Sequence, residues 1–485
     1  MYYIDEELKQ NILSEAPSDE PARQLFFIEE CRKILSERAE ELKRHLTCCV
    51  NTFGCQMNAK DSEKLLGILT QIGYVPVETE DADFVLYNTC TVREHANVRV
   101  YGRLGVLKHS KDKNPDMIIA LCGCMMQEEQ VVEKIRKSYR HVNIIFGTHN
   151  VYMLAELLFD YLCTGINRTE ILKGTDRIVE ELPSERKYPF KCGINIMYGC
   201  NNFCSYCIVP YVRGRERSRR REDILREIRN VAAQGVIEVM LLGQNVNSYG
   251  LDFKEGDPNR ISFPELLEEV SKVKGIERVR FMTPHPKDFS DELLETIAKN
   301  PKIARHIHLP LQSGNTEILR RMNRKYTKES YLELVDKIHE KLPDVAITTD
   351  IIVGFPGETE SDVDDTIDVV KKAAFDNAFT FIYSKRTGTP AASFENQVSE
   401  EEVKKNFDKL LKVVQETARK QSEKMTGKID KVLVESVNEQ DSSLMTGRLS
   451  NNMLVHFPGD ESLIGSFVDV SLDECKGFYF MGHIV

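Results

Sequence analysis

The sequence predicts a three-part α/β protein: an N-terminal parallel-sheet domain, a central partial (β/α)₆ barrel and a small C-terminal antiparallel β-barrel. From about residue 46, short apolar runs alternate with helix-length amphipathic segments, which is the pattern of a parallel sheet. A second β/α series starts near residue 191, and the tail after residue 424 alternates in the manner of antiparallel strands. A chain of 485 residues is long enough for about three domains at ~150 residues each.

The N-terminal part divides at residue 46. Residues 1–45 are charged and helix-prone, and we expect a helical extension with a surface role. The domain at 46–164 contains four short apolar runs separated by amphipathic segments such as DSEKLLGILTQIGY. These predicted strands are Leu46–Val50, Phe84–Tyr87, Met117–Leu121 and Val142–Phe146.

A polar segment at 165–190 is predicted to be a linker, and the barrel follows at 191–424. Six strand-like runs alternate with helical patterns there, which predicts a partial barrel with its functional residues at the carboxyl ends of the strands. The predicted strands are Gly193–Met197, Ile237–Leu242, Val279–Met282, His306–Leu309, Val345–Val353 and Ala378–Tyr383. The tail at 425–485 carries the turn signals of a small barrel, a fold type that often binds RNA.

Composition restricts the possible functions. The chain has 65 Lys and Arg against 76 Asp and Glu, a net charge of −11, which argues against nucleic-acid binding through overall basicity. A local basic stripe would still be sufficient. No apolar run approaches the ~18 residues of a membrane span, and the acidic start MYYIDEELKQ does not resemble a secretory signal. We therefore expect a cytoplasmic protein without a membrane partner.

The 13 cysteines are the most informative residues, because disulfides are rare in the reducing cytosol. Three of them form the motif Cys200-x₃-Cys204-x₂-Cys207, directly after the first predicted strand of the barrel. Three thiolates can hold three irons of a [4Fe–4S] cubane and leave the fourth iron open. Structural zinc needs four ligands, and the sequence offers no fourth one nearby, so the spacing favours a cluster.

Three further cysteines each follow a predicted strand of the N-terminal domain: Cys55, Cys90 and Cys124. Parallel strands end at the same edge of a sheet, so we expect these thiols to converge. Cys122 is the alternative to Cys124 as the third thiol of this set. We favour Cys124 because it follows the strand-end glycine Gly123.

The motifs resemble the radical S-adenosylmethionine (SAM) superfamily and, within it, the methylthiotransferase family. C-x₃-C-x₂-C after the first barrel strand is typical of the superfamily. The narrower resemblance covers about residues 46 to 485. Its motifs are NTFGCQMNAKDSE, NTCTVREHANVRVYGRLG, CGCMMQ, YGCNNFCSYC, LLGQNVNSYG, HLPLQSGNTEILRRMNRKYT and YSKRTGTPAA.

The resemblance implies two [4Fe–4S] clusters, one on Cys200, Cys204 and Cys207 and one on Cys55, Cys90 and Cys124. The first cleaves SAM to a 5′-deoxyadenosyl radical, and the second carries the sulfur. Two SAM molecules are used per turnover, one for the methyl group and one for the radical. By this resemblance, six other residues are candidate SAM contacts: Tyr206, Gln244, Asn245, Gln312, Ser313 and Asp350. Of these, Gln244 and Asn245 stand where the superfamily commonly has Gly-Gly-Glu. The tail corresponds to a TRAM RNA-binding domain. An electron donor such as flavodoxin or ferredoxin is expected, and the sulfur donor stays open.

Within the family, the sequence is most similar to the enzymes that act on N6-dimethylallyladenosine at position 37, next to the tRNA anticodon. FGCQMNAKDSE, YGCNNFC and VPYVRGRERSR favour this substrate. Threonylcarbamoyladenosine in tRNA and an aspartate of a ribosomal protein are the alternatives within the same chemistry. Members that act on the ribosomal protein have a proline-containing loop where this chain has Gln56-Met57-Asn58. A non-catalytic Fe–S RNA-binding protein is a third hypothesis, and the six cysteines argue against it.

An arginine-rich stretch, VRGRERSRRRED, follows the cluster motif and is a candidate for contacts with RNA phosphates. We favour this role for Arg213 and Arg215. For Arg219, Arg220 and Arg221, a solvated helix start is an equally good explanation. In the tail, Lys428, Lys431 and Arg448 are the basic candidates.

Overall fold

A computed structural model describes residues 6–91 and 94–485. The first five residues of the predicted helical extension therefore lie outside the described residues. Contacts divide the chain into two compact units, and the segment around the cluster motif is shared between them. The first unit consists of residues 1–187, 198–200 and 208–217, and the second of residues 188–197, 201–207 and 218–485.

The first unit is an α/β domain whose strands alternate with helices. Its helices are α1 (Glu6–Glu15), α2 (Ala22–Leu42), α3 (Gln56–Ile72), α4 (Glu94–Lys113), α5 (Glu129–Ser138), α6 (Leu154–Thr164) and α7 (Val209–Val212). Its strands are β1 (Thr47–Thr52), β2 (Val75–Pro76), β3 (Phe84–Thr89), β4 (Ile118–Gly123), β5 (Ile144–Phe146) and β6 (Arg168–Glu170).

These six strands form one sheet in the order β2-β1-β3-β4-β5-β6, and every pair is parallel. The predicted parallel sheet is therefore confirmed. Strand β3 is buried on both faces, as expected of a central parallel strand: Phe84 and Leu86 pack on one side, and Val85 and Tyr87 on the other. Strand β6 lies inside the predicted linker, where its polar sequence RTE gave no strand signal.

Helix α2 belongs to the core of the first unit, so the predicted surface role of this segment is wrong. Phe27, Ile28, Cys31 and Leu35 lie on one face of the helix and pack in the hydrophobic core that contains β3 and α6. Arg23 and Glu156 form an ion pair between α2 and α6, with 2.5 Å between Nη2 and Oε1. The extension and the sheet fold as one body.

The second unit contains the barrel and the tail. Its helices are α8 (Arg221–Ala233), α9 (Phe263–Ser271), α10 (Asp291–Lys299), α11 (Thr316–Arg321), α12 (Lys328–Lys341), α13 (Glu360–Ala373) and α14 (Glu400–Glu423). Its strands, together with the two short strands at the borders of the units, are β7 (Lys191–Asn195), β8 (Met197–Tyr198), β9 (Arg217–Ser218), β10 (Glu238–Leu242), β11 (Arg278–Phe281), β12 (His306–His308), β13 (Ala346–Val353) and β14 (Asn377–Ile382). The tail strands are β15 (Ile429–Val437), β16 (Leu444–Arg448), β17 (Leu454–Pro458), β18 (Phe467–Cys475) and β19 (Tyr479–Ile484).

The six barrel strands are parallel, but their ladder is interrupted. They form two sheets of three strands, in the orders β11-β10-β7 and β12-β13-β14. At the interruption, the Val279 N–H donates to the carbonyl of Lys302, and the Ala304 N–H donates to the carbonyl of Val279. The segment that precedes β12 thus makes the bonds that β12 itself would make in a continuous ladder.

The tail is a closed barrel in the order β15-β16-β17-β19-β18. The predicted small barrel is confirmed, although β17 and β19 pair in parallel and the other pairs are antiparallel. Its interior is apolar, with Val434, Val455 and Phe457 fully buried. Among the described residues, no helix has the length and apolar character needed to cross a membrane.

Candidate active site

Three cysteines lie at the carboxyl edge of the first-unit sheet, as the spacing predicted. Cys55 follows β1 and precedes the first turn of α3, Cys90 directly follows β3, and Cys124 opens a short 3₁₀ turn after β4. Cys90 and Cys124 are buried, whereas Cys55 is exposed. Three adjacent strands thus deliver one thiol each to the same edge.

The side chain of Asn58 links the three cysteine loops. Its Oδ1 lies 3.7 Å from Cys55 Sγ and 4.0 Å from Cys124 Sγ. Its Nδ2 donates to the carbonyl of Thr89, next to Cys90, at 2.9 Å. Asn58 is completely buried, and its amide orientation is determined by these donors and acceptors.

Two glycines allow the loops to approach one another. A side chain at Gly54 would place its Cβ 2.7 Å from Cys90 Cβ. Gly123 has φ +96°, and a Cβ there would lie 2.3 Å from the carbonyl oxygen of Thr89. Only glycine fits such a close approach in this conformation, so Gly123 brings Cys124 against the β3 loop.

A buried cation lies beside these thiols. The Arg213 guanidinium donates to Asn58 Oδ1 at 2.7 Å and forms an ion pair with Asp61 Oδ2 at 3.0 Å. Arg213 is only 5% exposed, and Ile208 and Val212 of the same segment pack against Cys124. Thr148 Oγ1 also donates to the carbonyl of Val212 at 2.5 Å. Segment 208–217 therefore completes the surroundings of the cysteines.

Burial raises the pKa of the Cys124 thiol to about 12, although Arg213 opposes this shift. The three thiols must lose their protons before they can bind iron, so a cluster would assemble with release of protons. The resulting thiolates would also lower the free-energy cost of burying the Arg213 cation. Cys122 packs in the apolar core that contains β3 and α6, and burial raises the pKa of its thiol strongly. This position favours Cys124 over Cys122 as the third ligand.

The first-unit thiols fit a cluster better than a single metal ion. Across residues 6–91 and 94–485, no three Cys, His, Asp or Glu side chains are grouped closely enough to hold one ion. A zinc site would need four ligands at ~2.0–2.3 Å from the metal. Three cysteine thiols are the number that a [4Fe–4S] cubane with one open iron would need, so these residues fit such a cluster.

The other three cysteines stand in the loop after β7. Cys200 belongs to the first unit, and its N–H donates to the carbonyl of Gly214. Cys204 and Cys207 belong to the second unit, where the Cys207 N–H donates to the carbonyl of Cys204 at 2.9 Å. Phe203 has φ +46°, an uncommon conformation for a residue other than glycine. The loop is therefore shaped by specific contacts.

Arg324, to which the sequence analysis assigned no role, contacts the cluster motif directly. Its Nη1 donates to Cys204 Sγ at 3.4 Å, its Nη2 to the carbonyl of Pro310 at 3.0 Å, and its Nε to the hydroxyl of Tyr326 at 2.8 Å. Nearby, the Asn323 side chain donates to the carbonyl of Phe203 at 2.9 Å. In the sequence, Arg324 stands in the motif HLPLQSGNTEILRRMNRKYT, which resembles the methylthiotransferase family.

The candidate SAM residues of the second half-barrel lie together. The Gln312 N–H donates to the Asp350 carbonyl at 2.8 Å, and Gln312 itself has φ +72°. Ser313 is fully buried, and its hydroxyl accepts the N–H of Asn315. Asp350 Oδ2 lies 3.3 Å from His308 Nε2. Tyr206 packs against a small apolar cluster that contains Ile318, Met322 and Phe355.

Gln244 and Asn245 follow β10. Gln244 is half-buried, whereas Asn245 is buried and engaged within the protein. Its amide nitrogen donates to Asp288 Oδ2 at 2.8 Å and to Ser248 Oγ, and its Oδ1 accepts the His285 N–H at 3.3 Å. Asn245 therefore fixes the loop after β10, and its contact with SAM stays a prediction.

Strands β13 and β14 have one face that the helices do not cover, and this face carries both the carboxylate of Asp350 and the apolar side chains of β14. Ile351 and Ala378 face the helix-covered core, so the strand alternation turns Asp350, Ile352, Phe379 and Phe381 to the opposite face. Phe379 is 49% exposed and Phe381 41% exposed, and the Phe379 ring lies 5.9 Å from the ring of His308. Two exposed phenyl rings thus stand beside Asp350.

The structure corrects part of the predicted RNA contact. Arg213 is buried beside the cysteines, and Arg219 is buried with its Nη1 2.6 Å from the Asn195 carbonyl and 2.7 Å from Glu227. Because both side chains are buried, the phosphate contact predicted for Arg213 is wrong, and neither of the two explanations left open for Arg219, a phosphate contact or a solvated helix start, fits its position. Arg215 and Arg220 are exposed, and Arg221 pairs with Glu269 at 2.8 Å.

The tail is anchored to the barrel by buried arginines. Arg278 and Arg280 share the Glu238 carboxylate, with distances of 2.5 and 3.0 Å. Arg280 also donates to the carbonyl of Leu449 at 2.6 Å, in the turn after β16. In the tail itself, Arg448 pairs with Glu435 at 3.1 Å. Two predicted RNA contacts, Lys428 and Lys431, are exposed.

Three family descriptions match separate parts of the chain. The Radical SAM superfamily matches residues 194–370, Uncharacterized protein family UPF0004 matches residues 47–147, and the TRAM domain matches residues 423–485. A solved structure of the radical S-adenosylmethionine methyltransferase TsrM from Kitasatospora setae has a TM-score of 0.51 at 14% identity. It covers 72% of this chain and 77% of that one. At this identity the likeness concerns the fold.

Two curated relatives are similar over nearly their whole length. The chain is 62% identical over 455 residues to the tRNA-2-methylthio-N(6)-dimethylallyladenosine synthase of Lachnoclostridium phytofermentans, with 94% of this chain and 99% of that one covered. It is 50% identical over 468 residues to the synthase of the same name from Acetivibrio thermocellus, with coverages of 96% and 97%.

Proposed function

The chain belongs to the tRNA-2-methylthio-N(6)-dimethylallyladenosine synthase family, and we propose that it converts N6-dimethylallyladenosine next to the tRNA anticodon into its 2-methylthio derivative. The observation that carries this proposal is 62% identity across 94% of the chain, to a relative with this name. The six candidate ligand cysteines lie in the segments that match the two N-terminal family descriptions.

We assign Cys200, Cys204 and Cys207 to the cluster that cleaves SAM, and Cys55, Cys90 and Cys124 to the auxiliary cluster. When bound, the two clusters would supply the electron for SAM cleavage and the sulfur for transfer. Asn58 and Arg213 support the first-unit thiols, and Arg324 orients Cys204. Hydrogen bonds from neighbouring side chains to metal ligands set the geometry of the ligands and the properties of the metal site.

The barrel face beside Asp350 is suited to the substrate base. We place SAM along Gln312 and Ser313, which follow β12, and along Asp350 within the neighbouring strand β13. Phe379 and Phe381 offer exposed apolar surface next to Asp350, where the five-carbon dimethylallyl group would lose contact with water. A threonylcarbamoyl group carries a carboxylate, and two phenyl rings offer it no ionic partner.

The remaining assignments concern partners and domain limits. We propose that the exposed Lys428 and Lys431 of the TRAM barrel contact tRNA phosphates, and that a flavodoxin or ferredoxin delivers the electrons in the cytoplasm. We place the radical SAM core at 191–424 and the TRAM domain at 425–485. The auxiliary domain includes α2 and therefore begins before residue 46.

An anaerobic turnover tests the proposal. Reconstituted protein, SAM and a reductant are mixed with tRNA that bears dimethylallyladenosine, and the digested nucleosides are analysed by mass spectrometry. We expect the methylthio nucleoside. Formation of 5′-deoxyadenosine without modified tRNA would retain the radical chemistry and reject the substrate. The threonylcarbamoyl tRNA and the ribosomal protein would then be the next substrates to test.

A further inference from the structure

We infer that Arg213 and Asp61 form a buried charge pair that sets the reduction potential of the auxiliary cluster on Cys55, Cys90 and Cys124. This inference rests on the proposed function, because it assumes that a cluster occupies these thiols. It assigns Arg213 an electrostatic role beside the cluster and removes it from the set of RNA contacts.

The first argument is the position of the cation. Arg213 is buried, and its guanidinium shares Asn58 Oδ1 with the thiols of Cys55 and Cys124. An arginine remains protonated in any protein environment, so its charge is permanent. A fixed charge acts strongly at short range in a desolvated site, where water does not screen it.

The second argument is the partner. Asp61 lies one helical turn after Asn58 on α3 and pairs with Arg213 at 3.0 Å. The pair is oriented, because Arg213 also holds Asn58 Oδ1, and so its cationic end is directed at the thiols. The potential of an iron–sulfur cluster follows the net charge around it, the hydrogen bonds to its sulfur atoms and its exposure to solvent. Arg213 acts on the first of these directly.

The third argument is the origin of the cation. Arg213 stands six residues after Cys207, and segment 208–217 folds with the first unit. Val212 and Ile208 of this segment pack against Cys124, and its backbone accepts a hydrogen bond from Thr148. The chain that leaves the cluster motif therefore supplies the charge at the auxiliary site, which explains why an arginine so close to the motif is buried.

The sign of the effect is determined by charge. Reduction adds an electron to the cluster, so a nearby cation makes reduction more favourable and a nearby anion makes it less favourable. Arg213→Gln should therefore lower the potential, and Asp61→Asn should raise it. Arg213→Lys keeps the charge and should remain close to the wild-type potential. Arg220→Gln removes an equivalent charge from an exposed residue of the same stretch and should change nothing.

The test is an EPR-monitored redox titration of the reconstituted full-length protein without tRNA. The auxiliary signal is assigned from a Cys204→Ala variant, which retains only that cluster. Opposite shifts in Arg213→Gln and Asp61→Asn, with Arg213→Lys near wild type, would establish the inference. If Arg213→Gln fails to hold the cluster, the inference is judged on the other two variants: Asp61→Asn should raise the potential, and Arg213→Lys should leave it near the wild-type value.

Two results would overturn the inference. Shifts in the same direction, or no shift in variants that retain full auxiliary iron, would show that the pair is only structural. If the wild-type protein assembled no cluster on Cys55, Cys90 and Cys124, both the inference and the proposed function would be rejected. Iron content per chain separates these cases, because it is measured before the titration.

Discussion

Cys200, Cys204 and Cys207 stand within eight residues of one another, whereas Cys55, Cys90 and Cys124 are spread over seventy residues and converge because three parallel strands end at one edge. The first set can be recognised as a motif, and the second only through the fold. Both have an arginine at hand: Arg324 donates to Cys204, and Arg213 lies beside Cys124. Neither arginine is part of a cysteine motif. Cysteine spacing in the sequence therefore predicts the ligands, whereas only the structure identifies the residues that contact them.

The largest effects should come from removing one ligand of each set. Cys204→Ala should abolish SAM cleavage and product formation, whereas Cys124→Ala should abolish product formation and retain 5′-deoxyadenosine formation. Each variant should lose the iron of one cluster, because three thiolates are needed to hold it. Iron analysis and nucleoside mass spectrometry measure both effects.

Cys122→Ala is the matched control for Cys124→Ala, because Cys122 packs in the apolar core two residues away. It should retain both clusters and both activities. Loss of auxiliary iron in Cys122→Ala and not in Cys124→Ala would show that the third ligand has been assigned to the wrong residue.

Substitution of Asn58 or Arg324, which contact the cysteines, should give smaller effects, each on a different activity. Asn58→Leu should weaken the auxiliary cluster and lower product formation by about 10–100-fold, the usual loss when a residue that hydrogen-bonds a metal ligand is removed, with SAM cleavage retained. Arg324→Met should lower SAM cleavage by a similar ~10–100-fold factor and leave the auxiliary iron in place. If both variants lowered the same activity, the two sites would not be separable in the way we describe.

The sequence predicted the strands that deliver all six cysteines, and it predicted that Cys55, Cys90 and Cys124 converge. It could not predict the burial of Arg213, because burial depends on Asn58 and Asp61, which lie about 150 residues earlier in the chain. An arginine-rich stretch looks the same whether its side chains face water or a thiol. Conversely, Phe27, Ile28, Cys31 and Leu35 show a helical apolar stripe that would have placed α2 in the core.

A third test extends the comparison to the substrate. Phe379→Ala should raise KM for tRNA with dimethylallyladenosine by about tenfold, because a phenyl ring that becomes buried contributes ~1.5–3 kcal/mol. SAM cleavage without tRNA should not change. Binding of tRNA with unmodified adenosine should also not change, since it lacks the apolar group. Leu251→Ala, which truncates another exposed apolar residue of the second unit, is the control. Equal weakening of both tRNAs would contradict the assignment of the dimethylallyl group to Phe379.

The smallest expected effect concerns the tail, where deletion would be a poor experiment. Arg278 and Arg280 are buried with Glu238, and they donate to carbonyls at the end of β16 and in the turn after it, so removing the tail would leave these buried N–H donors without those acceptors. Lys428→Gln with Lys431→Gln avoids this problem, because both side chains are exposed. Each lost phosphate contact should reduce the slope of log K against log salt concentration by about 0.7–0.9. Lys412→Gln on α14 is the control with the same loss of charge. An unchanged salt slope in the double variant would mean that Lys428 and Lys431 do not contact tRNA phosphates, and the exposed Arg215 and Arg220 beside the cluster motif would be the next residues to test.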